Sequence, residues 1–331
     1  MLIVPVDELA AGDRLGRALY SVDGRLMLER GAVMNAGLIE RIKKLGYRYA
    51  SVEPKEERVF DADAAFKRNL LRMNADMLRL VRESVRERKP FPERALTEWA
   101  DQTAASALNA ACLSVCGQDL ASDAKDFIDR SSRVCLLSVL TAKTLGYSKS
   151  QLEYVAIGSL LHDIGLLLPH DGTLLLDHPI AGYEYLRKYR RIPEAALRIV
   201  LQHHERIDGR GFPNGLSGNS LLESSQICGL ASDFDEFMNQ SLSVRKPSEG
   251  IDFLMSKIDT SYAYPVVRAF MTVFRPYPVG MKVKLSGGLT GTVCAVDPAN
   301  VSRPVVQLDR SDMRIDLMKH LTFEIEKALP L

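Results

Sequence analysis

Between Leu160 and Asp235 the chain sets histidine and aspartate into runs that are otherwise apolar and helical in period. These are Leu160-Leu161-His162-Asp163-Ile164-Gly165, then Asp177-His178-Pro179, then His203-His204 closing the run 195–202, and finally Leu230-Ala231-Ser232-Asp233-Phe234-Asp235. A carboxylate buried among aliphatic side chains is unfavourable unless a partner neutralises it. A metal ion suits adjacent His and Asp, because imidazole offers one lone pair and a carboxylate can bridge two cations. Each element alone has an ordinary reading: a hydrogen-bonded core histidine, a helix end beside a turn, a capping or ion-pairing aspartate. As an ordered series on separate helices they constrain the fold, since a bundle must aim them at one point. Four of the six histidines belong to this series, and only His170 and His320 stand outside it.

The rest of the composition narrows the class. Hydrophobic residues make up 46%, enough for a sizeable core and too many for wholesale disorder. Lys+Arg is 43 against Asp+Glu 42, which argues against a partner that is a nucleic-acid polymer. Five cysteines, an odd number spread along the chain, make no disulfide framework. Cys112 and Cys116 are expected on one face of a helix, as small core residues. The N-terminus lacks a basic segment before an apolar run, and the apolar stretch 155–168 is interrupted by His162-Asp163 and is too short for a bilayer. No membrane span and a cytoplasmic location are therefore expected.

The pattern along the chain is mainly α. Residues 1–54 read as a small α+β module, with runs 15–20 and 25–29 flanking a hairpin turn at Ser21-Val22-Asp23-Gly24. A helix over 36–45 follows, with Leu38, Ile39, Ile42 and Leu45 on one face and Gly46 as its stop. Residues 55–92 form a connecting helix that ends at Lys89-Pro90-Phe91-Pro92. Residues 93–274 form the central helical bundle, with turns at Gly146-Tyr147-Ser148 and 208–218. In residues 275–331 the short runs 281–285, 291–296, 305–308 and 314–317 predict a small antiparallel β module. Tyr183, Tyr185 and Tyr189 with Arg187, Arg190 and Arg191 read as a solvated helix face with two rings turned inward.

The segment from about Lys125 to Phe274 resembles the HD-GYP branch of the HD-domain metallohydrolases, bacterial proteins that hydrolyse cyclic di-GMP. The resemblance rests on His162-Asp163-Ile164-Gly165, on His178-Pro179 with Gly182, and on the string from His203-His204-Glu205-Arg206-Ile207-Asp208-Gly209 through Arg210-Gly211-Phe212-Pro213 to Gly218. It continues in Ala231-Ser232-Asp233-Phe234-Asp235 and Tyr264-Pro265-Val266-Val267. It implies that His162, Asp163, His178, His203, His204 and Asp233 are metal ligands, with Asp163 bridging two divalent ions, iron or manganese. A water shared by the ions would then attack phosphorus in line, giving a linear dinucleotide or GMP. Asp163 is thus the candidate catalytic residue and a cyclic dinucleotide the candidate substrate.

Four departures from the family pattern stand out. Arg130 replaces a histidine ligand in Arg130-Ser131-Ser132-Arg133-Val134, leaving one ion under-coordinated, because a guanidinium has no lone pair to give. Arg130 is expected to pair with Asp126 at i,i+4. Leu166 replaces a phosphate-binding lysine, and Gln240-Ser241-Leu242-Ser243-Val244 replaces a cationic substrate contact. Phe212 replaces a tyrosine and keeps the turn. Arg206, Arg245 and Lys246 are the candidate substrate contacts that remain. The losses favour reduced activity, with two alternatives: a sensor or scaffold that binds metal, nucleotide or protein, and a hydrolase of another phosphoester. The loop from Gly209 to Gly218 is a candidate surface for a protein partner, and the chain is a candidate homodimer.

Overall fold

The computed structural model describes the chain apart from residues 1, 7–8, 10, 16–17, 21–25, 48, 53–55, 111–113, 121–125, 170–173, 240–244, 298–299, 310–312 and 330–331. The Ser21–Gly24 turn, Cys112, His170 and the 240–244 stretch lie outside the described residues. The chain forms two compact units, Met1–Ala62 and Asp63–Leu331.

In the first unit β1 (Leu2–Pro5), β2 (Leu19–Tyr20), β3 (Leu26–Leu28), α1 (Ala36–Lys44) and β4 (Tyr49–Val52) make a small α+β module. β2 pairs with β3 as the hairpin reading expects, and β1 pairs with β4 to bring the ends of the module together. Asn35 caps α1 by accepting from the Leu38 amide at 2.9 Å. Ile39 and Ile42 are buried, but Leu45 is exposed beyond the last helical residue, so the apolar face is shorter than its sequence period.

The second unit is mainly helical. Its helices are α2 (Glu56–Glu87, most of which lies here), α3 (Glu93–Asn109), α4 (Gly117–Leu120), α5 (Phe127–Thr144), α6 (Lys149–Leu160), α7 (Leu174–Leu186), α8 (Glu194–Gln202), α9 (Glu223–Asn239), α10 (Pro247–Ser256) and α11 (Tyr264–Val273). α3 stops at Asn109, so the helix expected to carry Cys116 does not reach it. Cys116 follows a bridge between Val115 and Phe274 and is buried against Tyr277 and Met281 of the β module. α5 is the central element, buried from Ser131 to Ala142 and packed on α6, α9 and α11. Arg133 fastens it to α9 through a buried two-pronged pair with Asp235, at 2.6 and 3.0 Å. Phe91 stacks on Tyr189 at 4.5 Å and meets Tyr185 edge-on, and Tyr183 packs on the core as well, so all three rings turn inward where two were expected.

The C-terminal strands are β5 (Lys282–Leu285), β6 (Thr290–Asp297), β7 (Asn300–Leu308), β8 (Arg314–Asp316) and β9 (Ile325–Ala328). They form one antiparallel sheet in the order β8-β7-β6-β5-β9. β9 is the strand the sequence pattern does not announce: of its four residues only Ile325 is buried, and Glu326 pairs with Lys284 at 3.0 Å on the outer face. Among the described residues no helix is long and apolar enough to cross a membrane.

Candidate metal centre

α6 ends at Leu160, and His162 and Asp163 occupy the turn that follows it, before a short 3-10 segment at Ile164–Leu167. The pair therefore lies just beyond a buried helix rather than within it. Its main chain stays satisfied, with the Ile164 amide donating to Leu161 at 3.0 Å and Leu166 to Asp163 at 2.9 Å. Gly165 permits the turn to touch α7: a Cβ there would fall 2.0 Å from the His178 carbonyl oxygen. That approach sets Asp163 beside His178, which stands in the second turn of α7 and not at its start. His203 caps the C-terminus of α8, and His204 follows it.

One ligand atom from each of Asp163, His178, His203 and His204 falls within 4.8 Å of the others. Around Asp163 Oδ1 stand His178 Nε2 at 3.2 Å and His203 Nε2 at 3.5 Å, and these two nitrogens are 3.2 Å apart. His203 Nδ1 lies 2.8 Å from the Val200 carbonyl, and His162 Nδ1 lies 2.8 Å from that of Ser159. A carbonyl only accepts, so each Nδ1 carries the proton and each Nε2 turns inward, the arrangement that orients histidine ligands. His162 Nε2 is buried 3.1 Å from Asp163 Oδ2 without the alignment of a hydrogen bond. Such convergent imidazole nitrogens and a carboxylate are a donor set that fits a divalent ion.

Burial opposes the charge on Asp163, yet His162, His178 and His203 around it hold its carboxyl well below the usual carboxylate range. Burial lowers His203 to about 4 even with Asp163 beside it, and lowers His204 further, with His203 and His178 adding to the effect. Both rings are thus neutral and ready to donate at neutral pH.

The other side of the carboxylate is occupied differently. Arg130 Nε donates to Asp163 Oδ2 at 3.3 Å, and its Nη2 donates to Ser232 Oγ at 2.9 Å. The expected pair with Asp126 does not form; Asp126 meets Arg82 at 3.6 Å, leaving Arg130 to turn inward. Asp233 is not brought into the four-donor set. Arg206 donates to its Oδ1 at 2.7 Å and the buried Tyr262 hydroxyl to its Oδ2 at 2.8 Å.

The candidate substrate contacts are held in the framework. Arg206 also donates to the carbonyls of His203 and Glu205, at 3.1 and 2.9 Å. Arg245 donates to the Phe237 carbonyl at 2.7 Å and lies over that residue's ring. Lys246 pairs with Glu324 at 3.2 Å along a cleft of about 840 Å³ between α10, α11 and the sheet.

Glu205 is the residue whose role its place in the motif does not reveal. Its buried carboxylate accepts from the amides of Asn214 at 2.6 Å and Leu216 at 2.9 Å, closing the 205–218 loop on itself. Gly211 fits inside that loop because a Cβ would meet the His204 carbonyl oxygen at 2.4 Å. Phe212, held there, stacks on His204 with centroids 4.4 Å apart. The stacking is apolar in origin, which is why phenylalanine can serve in place of tyrosine.

Residues 115–262 match the family model described as HD domain. The chain is 32% identical over 127 residues to the cyclic di-GMP phosphodiesterase response regulator RpfG of Xanthomonas campestris pv. campestris, covering 34% of this chain and 33% of that protein. It is 27% identical over 193 residues to a cyclic di-GMP phosphodiesterase of Pseudomonas aeruginosa, covering 54% of this chain and 46% of that one. It is 32% identical over 117 residues to the 3'3'-cGAMP-specific phosphodiesterase 2 of Vibrio cholerae, covering 31% and 22%. The matches span less than half the length of each of these relatives. The stretch that matches the HD-domain model holds the histidine–aspartate turn and all four convergent donors. Over that segment the chain is similar to proteins named as cyclic-dinucleotide phosphodiesterases.

Proposed function

We propose that the chain hydrolyses a phosphodiester bond of a cyclic dinucleotide, with reduced activity, at a divalent-metal centre held by Asp163, His178, His203 and His204. The observation that carries this reading is the convergence of those donors, with the His203 ring oriented by its main-chain contact to Val200. Iron or manganese suits three imidazoles and a carboxylate. When bound, the ion lowers the pKa of a water and neutralises charge developing on phosphorus. The rest falls to the protein. Asp163 holds its charge in a buried place, His204 is positioned by Phe212, and the Glu205-braced loop walls the site.

The substrate class is drawn from the relatives, which include enzymes named for cyclic di-GMP and for 3'3'-cGAMP. Reduced activity follows from two observations: Leu166 brings no cation to the turn, and Asp233 is fully engaged by Arg206 and Tyr262. The same observations favour the second reading, a catalytically impaired HD-GYP sensor that binds metal and nucleotide. Metal analysis of purified protein, then turnover of cyclic di-GMP and 3'3'-cGAMP with added manganese or iron, separates the two. The proposal expects bound metal and slow turnover that Asp163→Asn abolishes. Bound metal with nucleotide binding but no turnover would establish the sensor instead. Absence of both metal and turnover would remove the metal-dependent reading.

A further inference from the structure

We infer that the centre takes a single divalent ion, on the Oδ1 side of Asp163, and that the Arg130 guanidinium stands on the Oδ2 side as a fixed cation in place of a second ion. This rests on the metal-dependent reading above and specifies how that site is filled.

A second ion would need donors on the Oδ2 side, and these are engaged. Asp163 Oδ2 receives Arg130 Nε at 3.3 Å. Ser232 Oγ fixes Nη2 at 2.9 Å, and Glu236 Oε2 lies 3.7 Å from the same nitrogen. Three groups from two elements thus hold the guanidinium, and arginine stays charged under all conditions a protein survives. Both oxygens of Asp233 are satisfied, and its partner Arg206 is itself anchored on two main-chain carbonyls. His162 Nε2 is left as the one buried donor there without an aligned partner. With the Glu236 carboxylate paired to Arg130, one imidazole and a shared oxygen remain, too few for a stable site, and a dication arriving there meets a guanidinium at contact distance. The Oδ1 side brings three imidazoles together with the carboxylate oxygen.

Arg130 has more than a blocking role. Its Nη1 has no partner among the described residues, and the side chain is 25% exposed. A guanidinium offered in that way is suited to a phosphoryl oxygen brought to the ion on the other side of Asp163. The charge a second metal would contribute is thereby supplied in part by a residue that cannot dissociate.

The test is a manganese count on the whole chain. Protein stripped with chelator is titrated with Mn²⁺, bound metal is counted after equilibrium dialysis, and low-temperature EPR reports whether ions are spin-coupled. Wild type should saturate at one uncoupled ion per chain. Arg130→His should take up a second, coupled ion, or, where Asp233 stays clamped, the double variant Arg130→His with Arg206→Gln should do so. Two coupled ions in wild type would overturn the inference while leaving the metal-dependent reading intact. A count that stays at one in both variants, with circular dichroism showing them folded, would also overturn it. No ion in wild type would defeat the underlying reading and this inference with it. Should the variants fail to fold, the wild-type count and its EPR signal still decide.

Discussion

The two oxygens of the Asp163 carboxylate look out on opposite chemistries. Oδ1 faces His178 and His203 with His204 beside them; Oδ2 faces His162 and the permanently charged Arg130. A carboxylate able to bridge two ions thus finds room for one. The difference arises in α5, one helical turn before Arg133. Arg133 faces α9 and is buried in a pair with Asp235, whereas Arg130 reaches the edge of the site. Two arginines on one helix do separate work, the first electrostatic at the centre and the second structural between helices.

The sharpest way to break this comparison is to remove one ring from each side. His203→Ala should weaken Mn²⁺ binding by at least ~100-fold, more than is usual for losing an outer-shell partner, while His162→Ala should change it by less than about tenfold. Calorimetric titration of both variants reads the difference, and equal losses would mean the two sides are not distinct. The next largest effect separates the two arginines. Arg133→Ala strands Asp235 in the core and should lower stability by about 3–5 kcal/mol in urea unfolding. Arg130→Ala, at a partly exposed position, should lower it far less. Similar losses would show that Arg130 too is mainly structural.

A smaller effect is expected in the loop beside His204. Glu205→Gln retains shape but loses charge, weakening hydrogen bonds of a kind worth roughly 1.5–3 kcal/mol each. Hydrogen exchange at the Asn214 and Leu216 amides should accelerate, with the α5 amides unchanged; protection equal to wild type would refute the bracing role. Smallest of all, Arg245→Ala and Lys246→Ala should each shift stability by less than ~1 kcal/mol and leave metal affinity unaltered. A clear fall in metal or nucleotide binding would return those residues to the site.

Most of the centre could be read from the chain because it breaks a physical rule: histidine and aspartate in apolar helical runs need a partner. His162, Asp163, His178, His203, His204 and Asp233 all break it, and the fold gathers four of them into one donor set. The direction in which a long side chain turns is not written in such a pattern. Arg130 at i,i+4 from Asp126 fits a helix-surface pair equally well, yet in the fold Asp126 meets Arg82 while Arg130 meets Asp163 and Ser232. Asp233 carries the same difficulty, since Arg206 and Tyr262 are remote from it in sequence and adjacent in space. Glu205 was in plain view in the motif, but its work is to accept two amides nine and eleven residues onward, which no local period encodes. β9 escaped for a related reason: the edge of a sheet needs only one buried residue, and Ile325 alone makes no pattern.

The most direct measurement is anomalous diffraction from crystals grown with Mn²⁺, which places each ion without reference to activity. The account predicts one anomalous peak among Asp163, His178, His203 and His204, with Arg130 still against Oδ2. Two peaks flanking Asp163, with Arg130 displaced, would contradict it.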